Sequence, residues 1–521
     1  MKEVVDNLPQ HVIKPSVWSS AAMGFLAVIL FIGRPLGLSW FIFITTLAAV
    51  LIAIARKVSI RAARRNLWLW PVLFFFAAMV FLRANELLTF LNMMASLCLL
   101  AFAYFYYAAG SAVHISLSGV LSLPLRMLGQ SLRAGAPLIM AEIAPQKGSH
   151  GRRHELLPLL RGGALALPLL AIFAFLLASA DLVFSTYLKR LIGIDFASVS
   201  PIIGRTLFAG LVTLLVTGAT AVALRRGQSD AEEESLLEAI AQQLPRRHSL
   251  GAIESWTIIL SLSGLFFAFM LLQFTYLFGG QANIGREGFT YAEYARRGFF
   301  ELVLVASLSL ALILVLNWIT RRESKRQIKW FNTFSSLLIG LVLLLLVTAF
   351  WRMRLYEQAY GYTELRLIVL VFECWLAILL LWFLWTLWRK PDQFAIGLML
   401  AALGFVATLN LLNPDALIVR HNMRRYHETG DLDIHYLARL SADAVPDLVD
   451  AYPVLATDEQ LVHAPWCRED ECARTLAEIL GDNLQARYER MQDDRRRQNP
   501  LAYHQARSRA IQSLLRFHGQ W

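Results

Sequence analysis

Charge is scarce in this chain. Only 17% of its 521 residues are Asp, Glu, Lys or Arg, against roughly a quarter in a soluble globular domain. Hydrophobic residues make up 57% and the mean hydropathy is +0.51, so a soluble globular protein is excluded and a membrane protein is indicated. Catalytic signatures are missing as well. There is no G-x-S-x-G, no H-E-x-x-H and no Walker loop. The glycines of GGQANIGREG follow an apolar run instead of a strand, so they mark a turn and not a dinucleotide site. The first apolar run, Val17 to Ile32, is followed by GRPLG where a signal peptide would carry small residues for cleavage, and it reads as a retained span. Internal repeats and low-complexity tracts are absent. Cysteine is rare: Cys98 and Cys374 lie in apolar runs, and only Cys467 and Cys472, in a polar region, bear on redox compartment.

What is present is a series of apolar runs. They occupy 17–32, 38–55, 67–82, 87–111, 164–184, 202–224, 255–278, 298–319, 334–350, 367–388 and 394–412, which gives about eleven spans of roughly 20 residues. The net charge of +11 does not imply a nucleic-acid partner, because the cations sit in short clusters between apolar runs, as orientation signals do. Arg56, Lys57, Arg61, Arg64 and Arg65 form one such cluster; Arg321, Arg322, Lys325, Arg326 and Lys329 form another. The alternate loops hold fewer cations, among them Arg83, Arg352, Arg354 and Arg366, so the N-terminus is expected in the cytoplasm. Two cytoplasmic segments have helical patterns of their own. Leu125, Leu128 and Leu132 share one face of a short helix over 124–134, which either lies on the inner leaflet or packs on the bundle. A connector helix is expected after Arg226.

At Asn413 the character changes. Residues 413–521 hold 14 arginines, no lysine and 17 acidic residues, a net of −3, whereas the rest of the chain carries +14. We therefore expect a transmembrane helical domain over 1–412 and a soluble helical domain over 413–521, extracytoplasmic by the span count. Its expected helices are 416–426, 434–452, 470–480 and 501–517, and strand signals are absent. The fold class is all-α: a polytopic transmembrane bundle with a small helical C-terminal extracytoplasmic domain.

The stretch FTYLFGGQANIGREGFTYAEYARRGFFEL, 274–302, is the most patterned in the chain. Thr290 and Glu293 form a capping box that predicts a helix from Tyr291 to about Ile319, roughly 43 Å long, whose first turns stand out of the membrane. Glu293, Arg297 and Glu301 recur at i, i+4 and i+8, a charge ladder where the helix enters the bilayer. YAEYARRGFFEL, with LQFTYLFGG before it and LNPDALIVRHNMRRY after, resembles an uncharacterised family of bacterial polytopic membrane proteins catalogued as domain of unknown function 4173. The resemblance covers about residues 200 to 450. It implies a bacterial integral membrane protein without assigned activity, so it supplies no catalytic residue; the expected location is the bacterial cytoplasmic (inner) membrane.

Candidate site residues follow from residue chemistry alone. Cys467 and Cys472 in HAPWCREDEC are expected to form a short-loop disulfide in an oxidising compartment, with metal ligation, aided by His463, or free thiols as alternatives. No metal and no cofactor are expected. Asn85, Glu86, Asn92, Asp181, Glu254, Gln273, Asn317, Glu373 and Asn410 are polar residues in or beside apolar runs, and most fall near predicted helix ends, where an interfacial place is expected. Glu373 is the one expected inside, either functional or hydrogen-bonded to a neighbouring helix. Three function classes stay open. The first is a non-enzymatic envelope sensor, scaffold or accessory protein with the lipid bilayer and a membrane or envelope protein as partners. The second is a transporter of a small solute or ion, centred on Glu373. The third is a lipid- or glycan-modifying enzyme, which needs converging groups such as Glu287, Glu293, His421 and Asp431.

Overall fold

The computed structural model describes residues 10–143, 196–226, 250–278, 299–322, 324–390, 393–458, 461–463, 473–497 and 500–519. Among them ten helices are long and apolar enough to cross a membrane. They are α1 (Gln10–Phe31), α2 (Leu38–Lys57), α3 (Leu69–Leu82, which crosses together with the turn before it as Arg64–Leu82), α4 (Glu86–Phe105), α6 (Phe196–Arg225), α7 (Ala252–Phe278), α8 (Phe299–Ile319), α9 (Lys325–Tyr360), α10 (Glu364–Arg389) and α11 (Phe394–Leu412). These match ten of the expected spans. The expected span at 164–184 and the connector after Arg226 lie outside the described residues. So does the expected start of α8 at Tyr291.

The chain forms two compact units whose boundaries fall inside α3, α4 and α5 (Leu117–Ile143). The first comprises 1–77, 97–110 and 122–231. Here α1 lies along α6, and Gly24 sits so close to Ala209 and Thr213 that a Cβ would collide. Gly218 of α6 meets the Ser131 backbone of α5 in the same way. Close backbone approach through small residues is how helices gain contact where lipid removes the hydrophobic drive. The helix expected over 124–134 is part of a longer one, α5, which continues through Pro124 and Pro137. Leu125, Leu128 and Leu132 do share its exposed face, while Met127, Ala134 and Leu138 are buried.

The second unit comprises 78–96, 111–121 and 232–521. Its apolar core joins α7 to α11 through residues such as Ile259, Ile313, Phe331, Leu338 and Leu380. Polar ties fix the helices pairwise. Ser255 and Thr320 hydroxyls meet at 2.6 Å between α7 and α8, and Arg352 Nη2 donates to Gln273 Oε1 at 2.7 Å between α9 and α7. Asn332 Nδ2 donates to the Leu387 carbonyl at 2.9 Å, tying α9 to α10. At 36 residues α9 is roughly 54 Å long, more than the about 30 Å hydrocarbon layer, so it projects beyond it.

Beyond α11, Asn413 takes a left-handed conformation, φ 52°, which ends that helix and starts α12 (Pro414–Thr429) with proline at its first position. Then follow α13 (Ile434–Leu437), α14 (Val445–Leu455), α15 (Leu476–Arg497) and α16 (Gln505–His518). They close on a core that includes Ile418, Leu448, Leu455, Leu480 and Leu514, and Tyr362 and Leu367 belong to the same core. The expected helix over 434–452 is broken. Ser441 accepts the Asp443 N–H at 3.2 Å in a turn between α13 and α14, a local bond that competes with helix continuation. The strand expectation is also corrected: β1 (Leu461–His463) and β2 (Ala473–Thr475) pair antiparallel, with Val462 opposite Arg474. Three residues are too few to show a period-two pattern. Thr475 and Glu478 then form a capping box that starts α15, with bonds of 3.0 and 3.2 Å.

Candidate functional site

In the second unit the polar residues gather around two helix turns. The first turn, Arg83-Ala84-Asn85, links α3 to α4. The Arg83 N–H still bonds the Met79 carbonyl of α3 at 3.0 Å, whereas the N–H groups of Ala84 and Asn85 stand ahead of α4, as at any helix start, and need acceptors. Asp443 supplies one: its Oδ2 accepts the Ala84 N–H at 2.5 Å and the Asn85 N–H at 3.3 Å. The Arg83 guanidinium lies 3.8 Å from the same carboxylate and donates through Nε to the Asn410 carbonyl at 2.8 Å. Burial pushes the Asp443 carboxyl above the usual carboxylate range, opposed by the Ala84 N–H and by Arg83.

Asn85 is the second anchor. Its Oδ1 accepts the Leu88 N–H at 3.1 Å, capping α4, while its amide nitrogen donates to Glu364 Oε1 at 2.8 Å and to both Asp415 oxygens at 3.3 Å. Asp415, almost wholly buried, also accepts the Ser441 N–H at 3.2 Å. Arg487 donates to the Ala438 and Leu440 carbonyls at 2.6 and 2.7 Å, close enough for attraction to Asp415. His504, at the start of α16, is buried and hydrogen-bonds the Arg83 backbone; its Nδ1 has no partner among the described residues. Burial lowers the His504 pKa to about 4, with the Arg507 charge adding to the effect. The turn 83–85 is thus held by α12, by the 441–444 turn and by α16.

The second turn, 361–363, links α9 to α10. Asn422 of α12 clamps it, accepting the Tyr362 N–H at 2.7 Å and donating to the Tyr362 carbonyl at 2.9 Å. Gly361 has φ +73°, and an added Cβ would come within 2.6 Å of Asn422 Oδ1, so only glycine fits. Arg425 donates to the Ala359 carbonyl at 2.7 Å, and Arg354 donates to the Tyr362 hydroxyl at 2.9 Å and to Glu357 at 3.3 Å. The Tyr362 hydroxyl is pushed up to about 12, first by burial and then by Glu357.

The sequence-derived candidates fall unevenly on this geometry. Asn85, Asn92, Gln273 and Asn410 are buried instead of interfacial, because protein and not headgroups covers those helix ends. Glu86 and Glu254 are exposed and Asn317 is half-buried, close to expectation, while Asp181 lies outside the described residues. Glu373 is 2% exposed and neither carboxylate oxygen has a side-chain hydrogen-bond partner among the described residues. Of the charge ladder, Glu301 is exposed in the first turn of α8, and Glu293 and Arg297 lie outside the described residues. Cys467 and Cys472 also lie outside them, between β1 and β2. For the enzyme reading, His421 packs on Tyr362 with ring centroids 4.0 Å apart and the exposed Asp431 is bound by Arg425 at 3.3 Å, while Glu287 and Glu293 are not described. Arg83, Asp415, Asp443 and Glu364 were not singled out from sequence. Arg83 is among the few cations in the alternate loops, and Asp415 follows an Asn-Pro helix start; those were the available signals.

Ten apolar helices, small-residue helix contacts and polar ties between spans define a multi-pass helical membrane protein. The chain belongs to the family described as Domain of unknown function (DUF4153), whose sequence model matches residues 72–451. That family is not number 4173, which the segments near 290 and 415 suggest, and the match extends further toward the N-terminus than the expected 200 to 450. What holds is membership of a family without assigned activity. No curated protein and no solved structure matches the chain.

Proposed function

We propose that this is a non-enzymatic protein of the bacterial cytoplasmic (inner) membrane, a sensor, scaffold or accessory subunit that couples an extracytoplasmic domain, 413–521, to membrane helices within 1–412. The N-terminus is cytoplasmic, as the cation asymmetry supports. Glu293, Arg297 and Glu301 act as one structural charge ladder where α8 enters the bilayer, a reading carried by their spacing. The observation that carries the coupling role is the double clamp. Asp443 and Asp415 hold the α3–α4 turn, and Asn422 holds the α9–α10 turn, so a displacement of α12 must be transmitted to four helices. Partners are the lipid bilayer and a membrane or envelope protein.

Hydrogen exchange of the full chain in lipid nanodiscs tests this reading. Arg83→Ala is expected to speed exchange in α12 and α14 as well as around the turn itself, because the elements open as one unit. Faster exchange confined to residues near 83, with α12 and α14 unchanged, refutes the coupling. A second reading, transport of a small solute or ion, is favoured by one observation: the carboxylate of Glu373 inside a span, which no described side chain pairs.

A further inference from the structure

We infer that Glu373 is a proton-binding site inside the membrane, which takes up and releases one proton on its carboxylate. This goes beyond the coupling role and does not depend on it.

The local sequence places the residue deep in α10, between LIVLVF and CWLAILLL. The fold then turns it away from lipid. Its neighbours Phe372 and Cys374 are exposed, whereas Glu373 is buried and faces α9 beside the Phe350 backbone. The amide and guanidinium side chains buried among the described spans of this unit have specific partners. Asn92 and Asn410 bind each other, Arg352 binds Gln273, and Asn332 binds the Leu387 carbonyl. At Glu373 the Phe350 backbone is the one described polar group in reach, and no described side chain partners either oxygen.

No described charge is placed to neutralise it. On α9, Arg352 is directed to Gln273 of α7, and Arg354 pairs with Glu357 and Tyr362. No Asp, Glu, His, Lys or Arg occurs in α11. On α8 the one such residue is Glu301, exposed in its first turn, and on α7 it is Glu254, which caps the Gly251 N–H at 2.9 Å. At the near end of α12, Asp415 is engaged with Asn85 and Ser441. On α10 itself Glu364 binds Asn85, Arg366 binds the Gly361 carbonyl, Cys374 points outward and Arg389 is exposed at the far end. An ionised carboxylate without a counter-charge in such surroundings is far costlier than the neutral acid. A proton neutralises it through one oxygen. A metal ion needs several converging oxygens, and among the described residues no group of three or more metal-ligating side chains exists.

The test uses the full chain in nanodiscs. Infrared difference spectra are recorded as the buffer is taken from about pH 5 to about pH 10, a range that brackets perturbed carboxyls. A carboxylic-acid carbonyl band that disappears with rising pH in the parent and is missing in Glu373→Gln is the expected result. A band absent throughout, one that never titrates, or one that survives in Glu373→Gln overturns the inference. Should Glu373→Gln fail to fold, labelling of the parent with the apolar reagent dicyclohexylcarbodiimide decides, since it modifies protonated carboxyls in apolar surroundings. An adduct at Glu373 that falls about tenfold or more between the two pH limits supports the site. No adduct at Glu373, or labelling that does not change with pH, refutes it.

Discussion

Asn92 on α4 and Asn410 on α11, 318 residues apart in sequence, are both wholly buried and exchange two amide hydrogen bonds of 2.9 and 2.7 Å. Each satisfies the other where water is excluded, so the pair also fixes the rotational setting of the two helices. Replacing Asn410 leaves the Asn92 amide unpaired at a cost of about 1–3 kcal/mol, whereas replacing both leaves no orphan. Asn410→Leu is therefore expected to lower the melting temperature more than the Asn92→Leu/Asn410→Leu double variant does, per residue removed. The coupling in a mutant cycle should fall near 0.6–1.7 kcal/mol, and strict additivity would contradict the pairing.

Asp443 provides the acceptors for the turn 83–85. Asp443→Ala is expected to destabilise by about 2–4 kcal/mol, because two backbone N–H groups lose their partner. Its folded pKa is raised by burial, so its contribution is full below the ordinary aspartate range and declines as pH rises through the raised value. Asp443→Asn should remove that decline. Denaturation of both proteins at about pH 4 and about pH 8 measures it; parallel pH curves would contradict the assignment.

His504 works in the opposite direction. Its pKa is lowered to about 4 by burial, so the neutral ring stabilises the fold above its unfolded value of about 6.5 and that stability is lost as pH falls toward 4. The loss amounts to on the order of 3 kcal/mol, and His504→Gln should flatten the melting temperature between about pH 7 and about pH 4.5. An unchanged slope in His504→Gln would show that another group governs acid unfolding.

The helical bundle was legible because composition and run length act locally: ten apolar runs needed no tertiary information. The end of α11 at Asn413 was legible too, since an Asn-Pro pair there stops an apolar run. The clamps were not. Asp443 and Asp415 look like ordinary acids of a polar segment, and what singles them out is proximity to Ala84 and Asn85, hundreds of positions away. The break at Ser441 and the strand pair at 461–463 and 473–475 were missed for a related reason, since a side-chain cap and a three-residue ladder carry too little sequence pattern to outweigh helical spacing.

The proposed placement of the tail outside the cytoplasm predicts that Cys467 and Cys472 are joined. The ladder between β1 and β2 brings the two ends of the connecting segment together, with His463 opposite Ala473. Mass spectrometry of unreduced peptides should recover a single crosslinked species from protein kept in its native compartment. Two freely alkylated thiols would count against the pairing and, with it, against the compartment.

The proposed coupling role requires the clamped domain to lie outside the cytoplasm. A reporter enzyme active only outside the cytoplasm, inserted after Gly430, where α12 ends in an exposed left-handed turn, reads this directly. The predicted result is an active fusion at Gly430 and a silent one at Gly227; a silent Gly430 fusion with an active Gly227 fusion would invert the topology and remove the extracytoplasmic role.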